Sequence, residues 1–333
     1  MSGTLVEVKG LTKFFTRGGG LLGGKKQTVR ALEGVNLSVH HGQTVGLVGE
    51  SGCGKSTLGR CLLRLIEPTS GEVIFEGANL LKLNPQEMQQ RRCDIQMLYQ
   101  NPYSSLNPRL TVHDIVAEPI VTHTQLRHSQ LTEQVEELLS LVDMKSSDMH
   151  RYPHEFSGGQ LQRIALARTL ALHPKFVVLD EPTSALDVSV QANILNLLLK
   201  LQRELNLTYL FISHDLSVVQ HVSDWIAVMY LGRIVERGKT EDIFSNALHP
   251  YTRALLSSIP AVDINSSRKR IVLEGNIPSP ANPPPGCKFF PRCRARIEHG
   301  LDKCDQEEPE LITIRPDHDV RCWLYPTESI ERR

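Results

Sequence analysis

The chain has 333 residues, 40% hydrophobic and 22% charged, with 37 basic and 37 acidic side chains. That length allows one large domain plus a smaller addition, the composition is that of a packed globular protein, and the charge balance gives no argument for a nucleic-acid partner. Its longest apolar stretches, such as Phe176–Leu179 and Trp225–Leu231, fall far short of the roughly 20 residues that cross a bilayer, and MSGTLVEVKG lacks a secretion-signal pattern. A chain that stays in the cytoplasm and does not span a membrane is expected.

LVEV at 5–8, VNLSV at 35–39 and GEVIFE at 71–76 alternate apolar and polar residues, which predicts half-buried strands of an antiparallel sheet. Between the first two, RGGGLLGGKK at 17–26 has no period and reads as a loop. QTVGLV at 43–48, FVVL at 176–179 and YLFI at 209–212 are continuous apolar runs, as in parallel strands covered on both faces. Ile194, Leu197, Leu198, Leu201 and Leu205 keep helical spacing, as do Val135, Leu138, Leu139 and Val142. Alternating strands and helices predict an α/β core, interrupted over about 100–170 by a mainly helical lobe. The texture changes near 260, where proline and glycine accumulate, so one domain is expected over 1–258 and a C-terminal extension over 259–333.

GESGCGKS at 49–56 follows a predicted strand and precedes the helical pattern TLGRCLLRLI. In that setting the loop's N–H groups wrap phosphates, Lys55 reaches the β- and γ-phosphates, and Ser56 ligates Mg²⁺. The ATP contacts are expected at Gly49, Glu50, Ser51, Gly52, Cys53, Gly54, Lys55, Ser56 and Thr57. Asp180 and Glu181 end the apolar run FVVL; Asp180 suits the Mg²⁺ hydration shell and Glu181 an attacking water. FSGGQ at 156–160 opens a helix with Leu161, Ile164 and Ala165 on one face, and its free N–H groups suit an anion.

The phosphate loop, FSGGQ, VVLDEPTSALD and SHD, in this order and spacing, resemble the ATP-binding domain of ABC transporters over about residues 5–250. The resemblance implies a P-loop NTPase core with an antiparallel β subdomain and a helical signature subdomain. It further implies that Phe15, with Phe14 as the alternative, stacks on adenine, and that Gln100 senses Mg²⁺ and the γ-phosphate. Asp187 would communicate across a dimer, and His214 would contact the γ-phosphate. Ser157, Gly158, Gly159 and Gln160 would close over ATP held by another subunit, although Phe156 stands where leucine is commoner.

HPYTRALLSSIP at 249–260 and GNIPSPANPPPGCKFFPRC at 275–293 are similar to the C-terminal region of ATPase subunits of bacterial dipeptide and oligopeptide importers, chiefly the second ATPase of such systems. This implies a related ATPase partner, two permease subunits, an extracytoplasmic substrate-binding protein and a place on the cytoplasmic face of the inner membrane. Nickel importers share the core, and a soluble non-transport ABC ATPase is the alternative of another class. Four of the seven cysteines, Cys287, Cys293, Cys304 and Cys322, fall in the last fifth of the chain. Four thiolates suit zinc or a [4Fe–4S] cluster. The lack of paired C-x₂-C knuckles, together with the resemblance, favours iron–sulfur in a structural role, giving a small metal-stabilised extension.

Overall fold

The computed structural model describes residues 3–17, 27–124, 128–184, 186–259 and 271–325. The loop read over 17–26 lies, from residue 18 on, outside the described residues, as does the stretch 260–270 beside the expected domain boundary. Two compact units share the chain. One comprises 1–5, 39–44 and 76–212, and the other 6–38, 45–75 and 213–333.

In the first unit, strands Ile95–Leu98, Phe176–Asp180 and Thr208–Ser213 run parallel, with Val177 paired to Gln96 on one side and to Tyr209 on the other. Every residue of Phe176–Asp180 is buried, because a strand paired on both edges and covered on both faces has no side to leave polar. Helix Val188–Leu205 packs through Ile194, Leu197, Leu198 and Leu201, each contributing about 1.5–3 kcal/mol by leaving water. It ends where Asn206 turns left-handed (φ 52°), with Leu207 N–H returning to the Gln202 carbonyl at 3.0 Å. Helices Val112–His123, His128–Leu141 and Gly158–Leu170 fill the segment between Gln100 and the strand at 176.

The second unit holds an antiparallel sheet in the order Gln27–His40, Thr4–Arg17, Ser70–Phe75. Its first strand runs well beyond the alternating segment 5–8, and Val6 pairs with Phe75. A further set of strands follows the order Ile312–Arg315, His318–Val320, Arg233–Lys239, Trp225–Tyr230, Thr44–Val48. Only the last pair is parallel, with Val45 opposite Trp225. The helix after GESGCGKS is shorter than its apolar pattern, Lys55–Leu62. Arg64 adopts φ 49°, and Leu65 N–H bonds the Arg60 carbonyl at 2.8 Å, a left-handed cap that stops the helix.

The C-terminal segment joins this unit by strand pairing. Its hairpin, Ile312–Arg315 with His318–Val320, adds to Arg233–Lys239, with Glu236 opposite Val320. Phe289 is buried with its ring centroid 5.3 Å from Tyr230 and 5.4 Å from Tyr251. The sequence leads one to expect a metal-stabilised extension here, and no such metal site is shown among the described residues. Strands of three and four residues are too short to show a period, yet they anchor the segment by backbone pairing.

None of the described helices is long and apolar enough to cross a membrane.

Candidate active site

The loop 49–54 leaves strand Thr44–Val48 and enters helix Lys55–Leu62, the strand–loop–helix setting that a phosphate loop requires. Gly49 lies at φ 154°, and a Cβ there would sit 2.2 Å from the Met229 carbonyl oxygen, so only glycine fits. Lys55 is 5% exposed, and its Nζ donates to the carbonyls of Gly49 (2.7 Å) and Glu50 (3.1 Å). The ammonium therefore lies inside the curl of the loop. Cys53 is buried there, and burial pushes its thiol up. It behaves as a small apolar residue of the loop rather than a nucleophile. Ser51 and Gly52 are exposed, whereas Gly54, Ser56 and Thr57 are half-buried.

Glu50 is held from outside the loop. Its N–H donates to the Tyr251 hydroxyl at 2.9 Å, and its carboxylate accepts two bonds from the Arg292 guanidinium, at 2.7 and 3.1 Å. Sequence reasoning passed over both partners. Tyr251 lies in an ordinary amphipathic helix, and Arg292 is one of several basic residues among the late cysteines, so no spacing singled them out.

In the other unit, Asp180 is 2% exposed at the end of its strand. Glu181 follows with φ 47°, a conformation non-glycine residues seldom adopt, secured by its N–H to the Ile212 carbonyl at 2.9 Å. Gln100 Nε2 donates to Glu181 Oε2 at 2.8 Å. Two residues 81 apart in sequence are thereby brought together, and the carboxylate is aimed by a neutral donor that does not compete for its charge.

Ser157 caps helix Gly158–Leu170 through a reciprocal box with Gln160. The Gln160 side chain accepts from the Ser157 N–H at 3.0 Å and from its hydroxyl at 3.2 Å. A Cβ on Gly159 would lie 2.4 Å from Val190 Cγ1. Asp187 precedes helix Val188–Leu205, its carbonyl accepting from the Gln191 N–H at 2.8 Å. His214 is exposed at the end of strand Thr208–Ser213. Phe15 is 39% exposed with Lys13 Nζ 4.9 Å from its ring centroid. Phe14 instead borders an open cavity of about 750 Å³ with Arg30 and the proline run 283–285.

The four late cysteines all lie in the C-terminal segment, Cys304 and Cys322 buried and Cys287 and Cys293 half-buried. Cys287 N–H bonds the Cys304 carbonyl at 2.8 Å. Burial pushes the thiols of Cys287 and Cys322 up to about 12 and raises those of Cys293 and Cys304. Such a donor set suits a thiophilic metal, whose charge would favour the thiolates. Among the described residues, however, no group of three or more His, Cys, Asp or Glu side chains is close enough to hold a metal ion as it stands.

Fold and phosphate loop define an α/β ATP-binding protein of the P-loop class. Residues 32–184 match the family model of ABC transporters, and residues 235–299 that of the C-terminal region of oligopeptide/dipeptide transporters. The chain is 48% identical to the oligopeptide transport ATP-binding protein AppF of Bacillus subtilis (strain 168), over 97% of this chain and 98% of that protein. It is 52% identical to the dipeptide transport ATP-binding protein DppF of Escherichia coli (strain K12), over 86% and 84%. Among solved structures, a dimeric post-hydrolysis state of the ATP-binding cassette MJ0796 bound to ADP and Pi aligns with TM-score 0.63 and 30% identity, covering 71% of this chain and 99% of that one. The chain belongs to the family of ATP-binding subunits of oligopeptide/dipeptide ABC transporters. It is an ATPase.

Proposed function

We propose that this ATPase powers import of di- or oligopeptides as one half of an ATPase pair docked on two permease subunits. It would lie at the cytoplasmic face of the inner membrane, and an extracytoplasmic binding protein would deliver the cargo. The match of residues 235–299 to the oligopeptide/dipeptide C-terminal region carries the choice of cargo over nickel. A related but different ATPase is the proposed partner.

Within the pair, the N–H groups of 49–57 and the Lys55 ammonium bind the phosphates. Glu181, aimed by Gln100 at 2.8 Å, accepts a proton from the attacking water. His214 donates to the γ-phosphate, and Phe15 stacks on the adenine. Ser157, Gly158, Gly159 and Gln160 present the N-terminus of a helix to ATP on the partner subunit, and Asp187 reports across the same junction. Mg²⁺, held by Ser56, Asp180 and Gln100, would neutralise charge on the β- and γ-phosphates. The bridging γ-phosphate draws the halves together, and hydrolysis lets them part.

Residues 259–333 form the proposed C-terminal extension, in which Cys287, Cys293, Cys304 and Cys322 would hold a [4Fe–4S] cluster, with zinc as the alternative. The backbone bond from the Cys287 N–H to the Cys304 carbonyl at 2.8 Å supports this by joining two of the four positions, and the metal would lock the segment's fold.

Affinity purification from the native membrane, followed by peptide uptake in proteoliposomes, tests the reading. Recovery of two permeases and a second ATPase, with ATP-dependent uptake of a labelled dipeptide, is the expected result. Uptake of Ni²⁺ instead of peptide, or recovery of ribosomes, would replace it.

A further inference from the structure

The phosphate loop is braced by residues that lie far along the chain. Arg292 is 242 residues from Glu50 in sequence, yet its Nη1 and Nη2 reach the two carboxylate oxygens at 2.7 and 3.1 Å. The guanidinium side chain is only 7% exposed and that of Glu50 25%, so the pair is largely sheltered from water and salt. Tyr251 holds the same residue by its backbone, at 2.9 Å, and the ring of Tyr251 packs on Phe289 three residues before Arg292. Lys288, in the same stretch, pairs with Glu33 and donates to the Leu231 carbonyl at 3.2 Å. The Gly232 N–H bonds the Cys53 carbonyl at 2.8 Å. Residues 288–292 are thus fastened to the second residue of the loop, and through Leu231 and Gly232 to its fifth.

The Glu50 carbonyl is also one of the two oxygens that hold the Lys55 ammonium. Any rotation of the Glu50 peptide therefore moves the cation that reaches the phosphates. Tyr251 holds the preceding peptide through the Glu50 N–H, and that peptide's Gly49 carbonyl is the other oxygen on Lys55. The sheltered bidentate ion pair fixes the Glu50 side chain between the two peptides. Glycine-rich loops lose much freedom when ordered, so a brace that sets the loop beforehand lowers the cost of binding.

We propose that Arg292 is a positioning residue of the ATPase. Acting through Glu50, it holds the phosphate loop in its nucleotide-receiving shape, so the C-terminal segment is a working part of the nucleotide site. The proposal rests on reading 49–56 as the phosphate loop. By linkage, nucleotide on the loop must in turn tighten the Arg292–Glu50 pair.

The test is a double-mutant cycle on the full chain, with Arg292→Met, Glu50→Gln and the two combined, read by titration with a fluorescent ATP analogue. Each single variant should weaken binding roughly tenfold, and the double variant no more than either, as for residues acting through one contact. KM for ATP should rise with kcat nearly unchanged, and the swap Arg292→Glu with Glu50→Arg should recover part of the affinity. Thermal melts separate this from a loss of folding. If Arg292→Met does not fold, Glu50→Gln leaves the C-terminal segment intact and must show the same KM rise. Unchanged affinity in folded single variants, or additive losses, would overturn the proposal. Lys55→Ala is the control for the underlying reading. If it binds ATP normally, the phosphate-loop reading fails, whereas its loss beside an unaffected Arg292→Met refutes the brace alone.

Discussion

Glu236 and His318 face each other across the junction between the second unit's sheet and the C-terminal hairpin, with Oε1 and Nε2 2.8 Å apart and side chains 0% and 1% exposed. The same carboxylate accepts the N–H groups of Leu248 (2.6 Å) and His249 (2.9 Å). One buried charge therefore ties a strand, a helix start and the hairpin. His318→Ala would leave that carboxylate short of a partner and should cost about 3 kcal/mol. Glu236→Gln, which keeps the size and one acceptor, should cost less. Urea unfolding at pH 7.5 measures both, and an unchanged midpoint for His318→Ala would show that the pair does not secure the hairpin.

Acid should undo the same region. His249 is fully buried, and its Nδ1 accepts the Tyr251 N–H at 3.0 Å. Burial pushes it down to about 4, so between that value and the ordinary histidine range the unfolded chain binds the proton that the folded chain refuses. Stability is then full above about pH 6.5 and falls toward pH 4, by about 3 kcal/mol from this group. Burial alone would raise Glu236, but the hydrogen bonds from His318 and the Leu248 and His249 N–H groups prevail and hold it below the usual carboxylate range. Its contribution is lost at lower pH, below about 4.5. Melting temperatures from pH 8 to 5 should fall less in His249→Gln than in the parent protein.

The strands legible in the sequence were those with a period, the alternating segments and the continuous runs such as FVVL. What escaped is what periodicity cannot carry. The hairpin at 312–320 is too short, and the Arg292–Glu50 and Glu236–His318 pairs join positions 242 and 82 residues apart. Motif spacing exposed Lys55 and Glu181, and the family resemblance Gln100, as separate candidates. It could not state that Gln100 grips Glu181, because a contact across 81 residues is a property of strand order.

That grip makes Glu181 testable in isolation from binding. Glu181→Gln keeps the shape and removes the proposed proton acceptor, so turnover should drop by about 10² to 10⁴ with ATP affinity retained. Gln100→Ala should lower kcat less, because it frees the carboxylate without removing it. Single-turnover hydrolysis and nucleotide titration on the same preparations distinguish these outcomes. Full activity in Glu181→Gln would assign the base elsewhere.

The cysteine cluster calls for chemistry rather than kinetics. Protein purified without oxygen should be brown, absorb near 400 nm and contain about four irons per chain if the four thiols hold a [4Fe–4S] cluster. One zinc and no colour would instead indicate the tetrahedral alternative. Cys304→Ser should lower metal content and melting temperature together, since metal binding and folding of such a segment are one equilibrium. A chain with neither metal, and a melting point unmoved by Cys304→Ser, would leave the thiols as packing groups.

Gly159 offers a test of the signature helix that depends on space alone. A methyl group there would lie 2.4 Å from Val190 Cγ1 on the facing helix Val188–Leu205, closer than carbon atoms approach. In Gly159→Ala either the first turn of helix Gly158–Leu170 or Val190 must shift. Because Ser157 and Gln160 close a capping box over that turn, displacement there would move the N–H groups proposed above to meet the partner's nucleotide. Gly159→Ala should therefore lose most ATPase activity in the assembled transporter while still binding ATP on its own phosphate loop. Val190→Ala, which removes the offending methyl, should restore activity in the double variant. Rescue by Val190→Ala would identify steric displacement as the cause. A double variant as inactive as Gly159→Ala would instead mean that the nucleotide itself needs the space beside Gly159.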